Sequence, residues 1–190
     1  KDNTSGFGTK KNPPLVFAYT ADRNDKEVQC IAYSLDGGMT LHKYKGNPVI
    51  DSHDRWQSHD TRDPRLLAFP PSPSLKGRGV SRRKAPSPSG EGWGEAWVLV
   101  LNERNGHSIY TSDNLKDWTW QSHVNGFWEG PDLFPLAVDG NPNDVRWVML
   151  GASNTYMIGS FDGKTFTPQS GKHRFSTGAI YAASRRIATR

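Results

Sequence analysis

At 190 residues the chain is long enough to bury one core, and 34% hydrophobic against 11% aromatic content, with seven Trp, points to a β-rich core or a sugar-binding surface. The single cysteine, Cys30, excludes an intrachain disulfide and a thiolate metal site, and no apolar run approaches the ~18 residues of a membrane span. The formal net charge of +5 invites a nucleic-acid partner, but it belongs to one segment: without Lys76, Arg78, Arg82, Arg83 and Lys84, 19 Lys and Arg face 19 Asp and Glu.

In chain order, short apolar strands alternate with Gly, Pro, Asn and Asp, and no stretch keeps a helical period. Residues 14–20 read as a strand, 31–34 as its partner, and Asp36-Gly37-Gly38 as the turn to a third strand carrying Leu41. The same order returns at 96–101, 109–112, Asp113-Asn114 and Trp118, and again at 146–150, 157–160, Asp162-Gly163 and Phe166. Asp-Gly supplies the positive φ that a tight hairpin requires. Trp97 and Trp147 lie 50 residues apart, the length of one four-stranded propeller blade.

The missing fourth strand of each unit should precede it, and two segments fit, 63–69 and 129–134. Each opens on a carboxylate followed by Pro and an apolar run. Residues 179–183 would open a further blade. The expected fold is therefore all-β: a partial β-propeller of about two and a half to three antiparallel four-stranded meanders, its first unit incomplete at the start. The first strand of a blade lines the central channel, and Pro is tolerated where it opens a strand. Asp63 and Glu129 should then face one axial cavity from neighbouring blades.

Residues 70–94 do not fit the meander. Pro-Ser-Pro-Ser occurs twice, at 71–74 and 86–89, in a low-complexity stretch that should stay flexible. Asp63 to Trp97 spans 34 residues where Glu129 to Trp147 spans 18, an excess of 16 that a surface insertion can add at little cost. The domain reading is one partial propeller over 1–190 interrupted by this insertion.

Two carboxylates on one cavity are the minimum for glycoside hydrolysis, where a retaining enzyme sets nucleophile and acid/base about 5–5.5 Å apart. The acid must keep its proton near neutral pH, which apolar surroundings favour, and Glu129 follows Phe127-Trp128. Asp63 follows Arg62, whose charge keeps a carboxylate ionised and suited to sugar hydroxyls. A structural Arg-Asp pair and a surface Glu explain the same spacing equally well. The six His show no ligand spacing such as HExxH and read as surface or loop residues. Trp56 stands shortly before Arg62 and would border the sugar channel or pack in the core. Asp132 would hydrogen-bond locally or face the channel.

Thr61-Arg62-Asp63-Pro64 and Trp128-Glu129-Gly130-Pro131-Asp132 resemble the Arg-Asp-Pro and Glu-Cys-Pro motifs of glycoside hydrolase family 32, the invertases, inulinases and levanases. Thr4-Ser5-Gly6, residues 31–38, 45–50, 109–112, 114–118, 139–143 and 159–163 resemble the same family in its order, covering most of 3–183. The resemblance implies a five-bladed propeller that releases fructosyl units from fructans or sucrose through a covalent intermediate. It makes Glu129 the general acid/base, Asp63 the transition-state stabiliser, and Arg62 and Asp63 the grip on fructose hydroxyls. It implies no metal or cofactor, and neither a nucleic-acid nor a membrane partner is expected. A secreted or periplasmic site fits the intact protein, although this sequence itself contains no signal peptide.

The chain departs from the family pattern in three places. No Asn-Asp-Pro-Asn-Gly-like motif, which carries the family's nucleophilic Asp, occurs in it; Gly140-Asn141-Pro142-Asn143 is a partial echo on an outer connection. Gly130 stands where many members have Cys. The tail from Ser184 to Arg190 reads as a shifted end. The expectation is a hydrolase fragment inactive by itself. Its rivals are a non-catalytic carbohydrate-binding propeller and a decayed gene product without function.

Overall fold

The computed structural model describes residue 2 and residues 4–22, 24–69 and 96–174. Apart from one helical turn, α1 (His53–Trp56), its regular elements are strands. The first sheet is β1 (Leu15–Asp22), β2 (Glu27–Ser34) and β3 (His42–Lys43), in that order. The second is β4 (Thr61–Phe69), β5 (Ala96–Glu103), β6 (Gly106–Ser112) and β7 (Thr119–Asn125). The third is β8 (Asp132–Val138), β9 (Asn141–Gly151), β10 (Thr155–Phe161) and β11 (Phe166–Pro168), with β12 (His173–Arg174) also paired to β10. Strands next to one another in these sheets pair antiparallel. These are three successive blades of a partial propeller, the first with three strands, the second with four and the third with four plus the short β12.

The turns follow the chemistry expected of them. Gly37 (φ 76°), Gly38 (φ 100°) and Gly163 (φ 100°) occupy the left-handed region in the outer hairpins. The second blade lacks a glycine there, and Leu115 takes the strained position at φ 64°, its side chain fully buried as compensation. Before β1, the Asp2 N–H donates to the Pro14 carbonyl at 3.0 Å. Trp97 and Lys116 of the second blade hold the Thr4 hydroxyl and the Ser5 carbonyl at 2.8 and 2.6 Å.

β5 explains how the blades stack. Side chains alternate across a strand, yet Val98, Leu99, Val100 and Leu101 are all buried. Val98 and Val100 join Phe127, Leu133, Trp147, Met149, Phe161 and Phe166 in a core shared with the third blade. Leu99 and Leu101 join Ile50 and Tyr110 in a second core, to which Ala18, Val49, Leu66, Trp118 and Trp120 pack. The middle sheet is apolar on both faces because it is sandwiched between its neighbours. Each such side chain contributes roughly 1.5–3 kcal/mol by leaving water.

Two features place the site. In β4, Arg62 pairs with Asn102 and Arg65 with Val100, so Asp63 and Pro64 together oppose Leu101. This is a β-bulge, which re-aims the side chain it carries, and Pro64 fits because the ladder is already broken there. The strand expected to open at Glu129 opens instead at Asp132. Gly130 (φ 51°) and Pro131, which lacks an N–H, keep the preceding residues out of the ladder, so Glu129 stands in the turn ahead of β8. The insertion at 70–94, the strand expected at 179–183 and the tail from Ser184 lie outside the described residues.

Candidate active site

The bulge in β4 and the turn before β8 meet. The Gly130 N–H donates to Asp63 Oδ2 at 2.9 Å, so the Asp63 carboxylate touches the residue that follows Glu129. Arg62 Nη2 lies 3.5 Å from Glu129 Oε1. Arg62, Asp63 and Glu129, from two consecutive blades, are thus one cluster. Asp63 is exposed and the Glu129 side chain is 42% exposed, so both carboxylates are open to a ligand.

Both carboxylates stand on strained backbone, with φ 61° at Asp63 and 35° at Glu129. Surrounding hydrogen bonds hold each in place. The Asp63 N–H donates to Thr20 Oγ at 3.1 Å, and the Thr20 hydroxyl donates to Gln29 Oε1 at 2.9 Å. The buried Gln29 amide donates in turn to the Thr61 carbonyl at 2.7 Å. The first blade therefore grips the Thr61–Asp63 segment. The Glu129 N–H donates to Asn102 Oδ1 at 2.9 Å.

The site is rich in acid. Arg62 reaches Glu27 Oε1 at 2.9 Å and Asp60 Oδ1 at 2.5 Å in addition to Glu129. Burial works against its charge, but Asp60, Glu27, Glu129 and Asp63 together raise its pKa above the usual guanidinium value. A permanently charged, planar donor among four carboxylates offers a dense set of hydrogen-bond partners to vicinal hydroxyls. The expected apolar enclosure of Glu129 is absent. Trp128 is 65% exposed, Phe127 turns inward to stack on His107 at 4.9 Å, and the group facing the Glu129 carboxylate is Arg62.

Trp56, at the end of α1, has other partners. Its indole N–H donates to Glu103 Oε2 at 2.7 Å and its ring lies 4.7 Å from that of His123. Glu103 is fully buried and also accepts from the Tyr110 hydroxyl at 2.9 Å; burial and this carboxylate push the Tyr110 pKa up. Asp132 is buried and bound to Arg65 Nε at 2.6 Å, joining the inner strands of two blades. His107 corrects the reading of the His as surface or loop residues: it is fully buried in β6.

Sequence reasoning missed Thr20, Glu27, Asp60 and Asn102. Asp60 alone had a signal, two residues before Arg62. The others follow only from strand pairing: Asn102 stands opposite Arg62, and Glu27 begins the strand whose edge meets Thr61. Among the described residues no group of three or more His, Cys, Asp or Glu is arranged to hold a metal ion, and no helix is long and apolar enough to cross a membrane.

Comparison with known proteins finds one matching family profile, the glycosyl hydrolases family 32 N-terminal domain, over residues 2–69 and 88–189. The match leaves out 70–87 and continues past residue 183, where the resemblance was expected to stop. A levanase of Bacillus subtilis is 40% identical over 183 residues, covering 87% of this chain and 23% of that protein. An extracellular exo-inulinase of Aspergillus niger is 32% identical over 206 residues, covering 89% and 34%. Among solved structures, exo-inulinase from Aspergillus awamori superposes with a TM-score of 0.66 at 32% identity over 88% of this chain and 35% of that one. A fructofuranosidase from Schwanniomyces occidentalis complexed with fructose gives 0.65 at 29% identity over 88% and 32%. The chain spans about a quarter to a third of the length of these relatives.

Proposed function

The chain belongs to glycosyl hydrolase family 32, and from that premise we propose that it carries the acid/base half of a retaining fructosidase acting on levan, inulin or sucrose. One contact supports the reading above all others: the Gly130 N–H on Asp63 Oδ2 at 2.9 Å, which joins the two acidic motifs across a blade boundary.

In this reaction Glu129 gives its proton to the glycosidic oxygen as the bond to the anomeric carbon breaks. A carboxylate on the other side of the ring attacks that carbon. Glu129, now a carboxylate, then takes a proton from water, whose oxygen displaces the enzyme carboxylate and frees fructose. Asp63 and Arg62 hold the ring hydroxyls, and Asp63, fixed at both its amide and its carboxylate, stabilises the positive charge that develops in the transition state. Trp56, bound to the buried Glu103 and packed on His123, is given no part in holding the sugar. The attacking carboxylate is not among these residues, since the chain contains no Asn-Asp-Pro-Asn-Gly-like motif.

Residues 1–190 alone therefore bind fructose without releasing it from polymer. Purified 1–190 incubated with levan, inulin and sucrose should yield no fructose above the blank. Robust turnover that disappears in Glu129→Gln would overturn the proposed inactivity while upholding the role of Glu129. Binding without turnover after a nucleophile-bearing segment is restored would favour a carbohydrate-binding propeller instead.

A further inference from the structure

The Glu129 backbone rests on a buried polar pair that the chemistry described above does not use. Asn102 and His107 face each other as Cα partners across β5 and β6, and both are fully buried. Asn102 Oδ1 accepts the Glu129 N–H at 2.9 Å, while its Nδ2 has no partner among the described residues. The His107 imidazole stacks on Phe127 at 4.9 Å with an interplanar angle of 11°. Neither of its ring nitrogens has a hydrogen-bond partner of good geometry among the described residues. An amide nitrogen and an imidazole without well-aligned partners, side by side at zero exposure, are costly, and a core strand would hold apolar residues there unless the polar groups served the segment above them.

The other side of the turn is equally confined. The Ala152 N–H is shared between the Trp128 and Glu129 carbonyls at 3.0 and 2.9 Å. Gly151 is the residue that allows this approach. A Cβ there would stand 2.7 Å from the Trp128 carbonyl oxygen, 3.1 Å from that of Glu129 and 3.0 Å from His107 Cε1. The Glu129 peptide is therefore held by its N–H from Asn102 and by its carbonyl from Ala152, with the His107 ring beneath. That is what a residue at φ 35° requires to stay in place.

We infer that the cross-strand pair Asn102–His107 is a positioning device for Glu129, fixing the turn that sets its carboxylate beside Arg62 and the Gly130 N–H on Asp63. The catalytic consequence rests on the proposed function; the structural device does not. Asn102 supplies the hydrogen bond, and His107 supplies a flat, neutral support that stacks on Phe127 and fills the space under the turn. An active-site side chain is only as well placed as the groups that lock it, and a displacement of ~1 Å is costly in rate.

Amide hydrogen exchange by NMR on the whole 1–190 chain tests this directly. In the unsubstituted protein the Glu129 and Ala152 amides should be protected. Asn102→Ala and Asn102→Leu should cost Glu129 at least ~10-fold in protection while the Leu99 and Ile109 amides of the same sheet keep theirs. His107→Ala should loosen both Glu129 and Ala152, and His107→Gln should loosen them less. The inference fails if Glu129 falls only in step with Leu99 and Ile109, if it does not change, or if its amide is already unprotected without substitution. Titration with fructose on the same samples separates the two claims. Absence of binding to the unsubstituted chain refutes the fructosidase reading and leaves the exchange data to judge the device. Binding that weakens several-fold in Asn102→Ala supports both.

Discussion

At the scale of single residues, strain and support coincide. Asp63 and Glu129 adopt left-handed backbone that costs on the order of 1–3 kcal/mol per residue, and each is met by a hydrogen bond to its own N–H. Gly151 is part of the same support. Gly151→Ala should destabilise the chain by ~1–3 kcal/mol in urea denaturation and weaken fructose binding, because the added Cβ meets backbone carbonyl oxygens that have nowhere to move. His107 makes a pH prediction. Burial drives its pKa from 6.5 down to about 3, against the opposing pull of the Glu129 backbone, which favours the protonated ring. Between these values the unfolded chain binds a proton that the folded chain refuses. Stability is therefore full above pH 6.5 and lost as pH falls toward 3, by up to about 1.4 kcal/mol per pH unit from this group. The urea midpoint of the unsubstituted chain should drop more between pH 7 and pH 4 than that of His107→Gln; equal drops would count against a buried neutral ring. Asp63 and Glu129 were legible because the repeat puts a carboxylate and a Pro at the same place in two units. The burial of His107 was not, since β6 is covered on both faces and its pattern gives no sign of which residues are inside.

At the scale of elements, the strands were read well where they are apolar and less well where they start. The strand expected at 96–101 is β5, extended to Glu103, and that expected at 146–150 is the second half of β9. Those last residues of β5 matter, because they bring Asn102 opposite Arg62 and Glu103 under Trp56. Polar residues carry no periodic signal, so their place in the ladder could not be read from the pattern. The bulge at Asp63-Pro64 was equally hidden: a Pro after a carboxylate suggests a strand opening, whereas here the strand has already begun at Thr61. Leu101 faces that bulge across the ladder and belongs to the core between the first and second blades. Leu101→Ala should cost ~2–5 kcal/mol in urea denaturation and reduce fructose affinity as well, since it removes the packing beneath β4. A loss of stability without any change in affinity would show that the bulge holds its shape independently of the core.

At the scale of the molecule, two apolar cores bind three blades into one unit. One is shared by the first and second blades and the other by the second and third, with the apolar run of β5 contributing to both. Unfolding the middle blade exposes both cores, so the blades should unfold together. Far-UV circular dichroism should give one urea transition that coincides with Trp fluorescence, which reports Trp147 in one core and Trp118 and Trp120 at the other. Separate transitions would mean that the blades are independent. The site depends on that unity, since its first hydrogen bonds come from Thr20 and Gln29 in the first blade, Asp63 and Asn102 in the second, and Gly130 at the entry to the third. The central claim is that these pieces form a single fructose site, and calorimetric titration of the folded chain with fructose tests it most directly. The account predicts saturable binding that Asp63→Ala abolishes and Arg62→Lys weakens. Binding indifferent to Asp63, or no binding by a cooperatively folded chain, would contradict it.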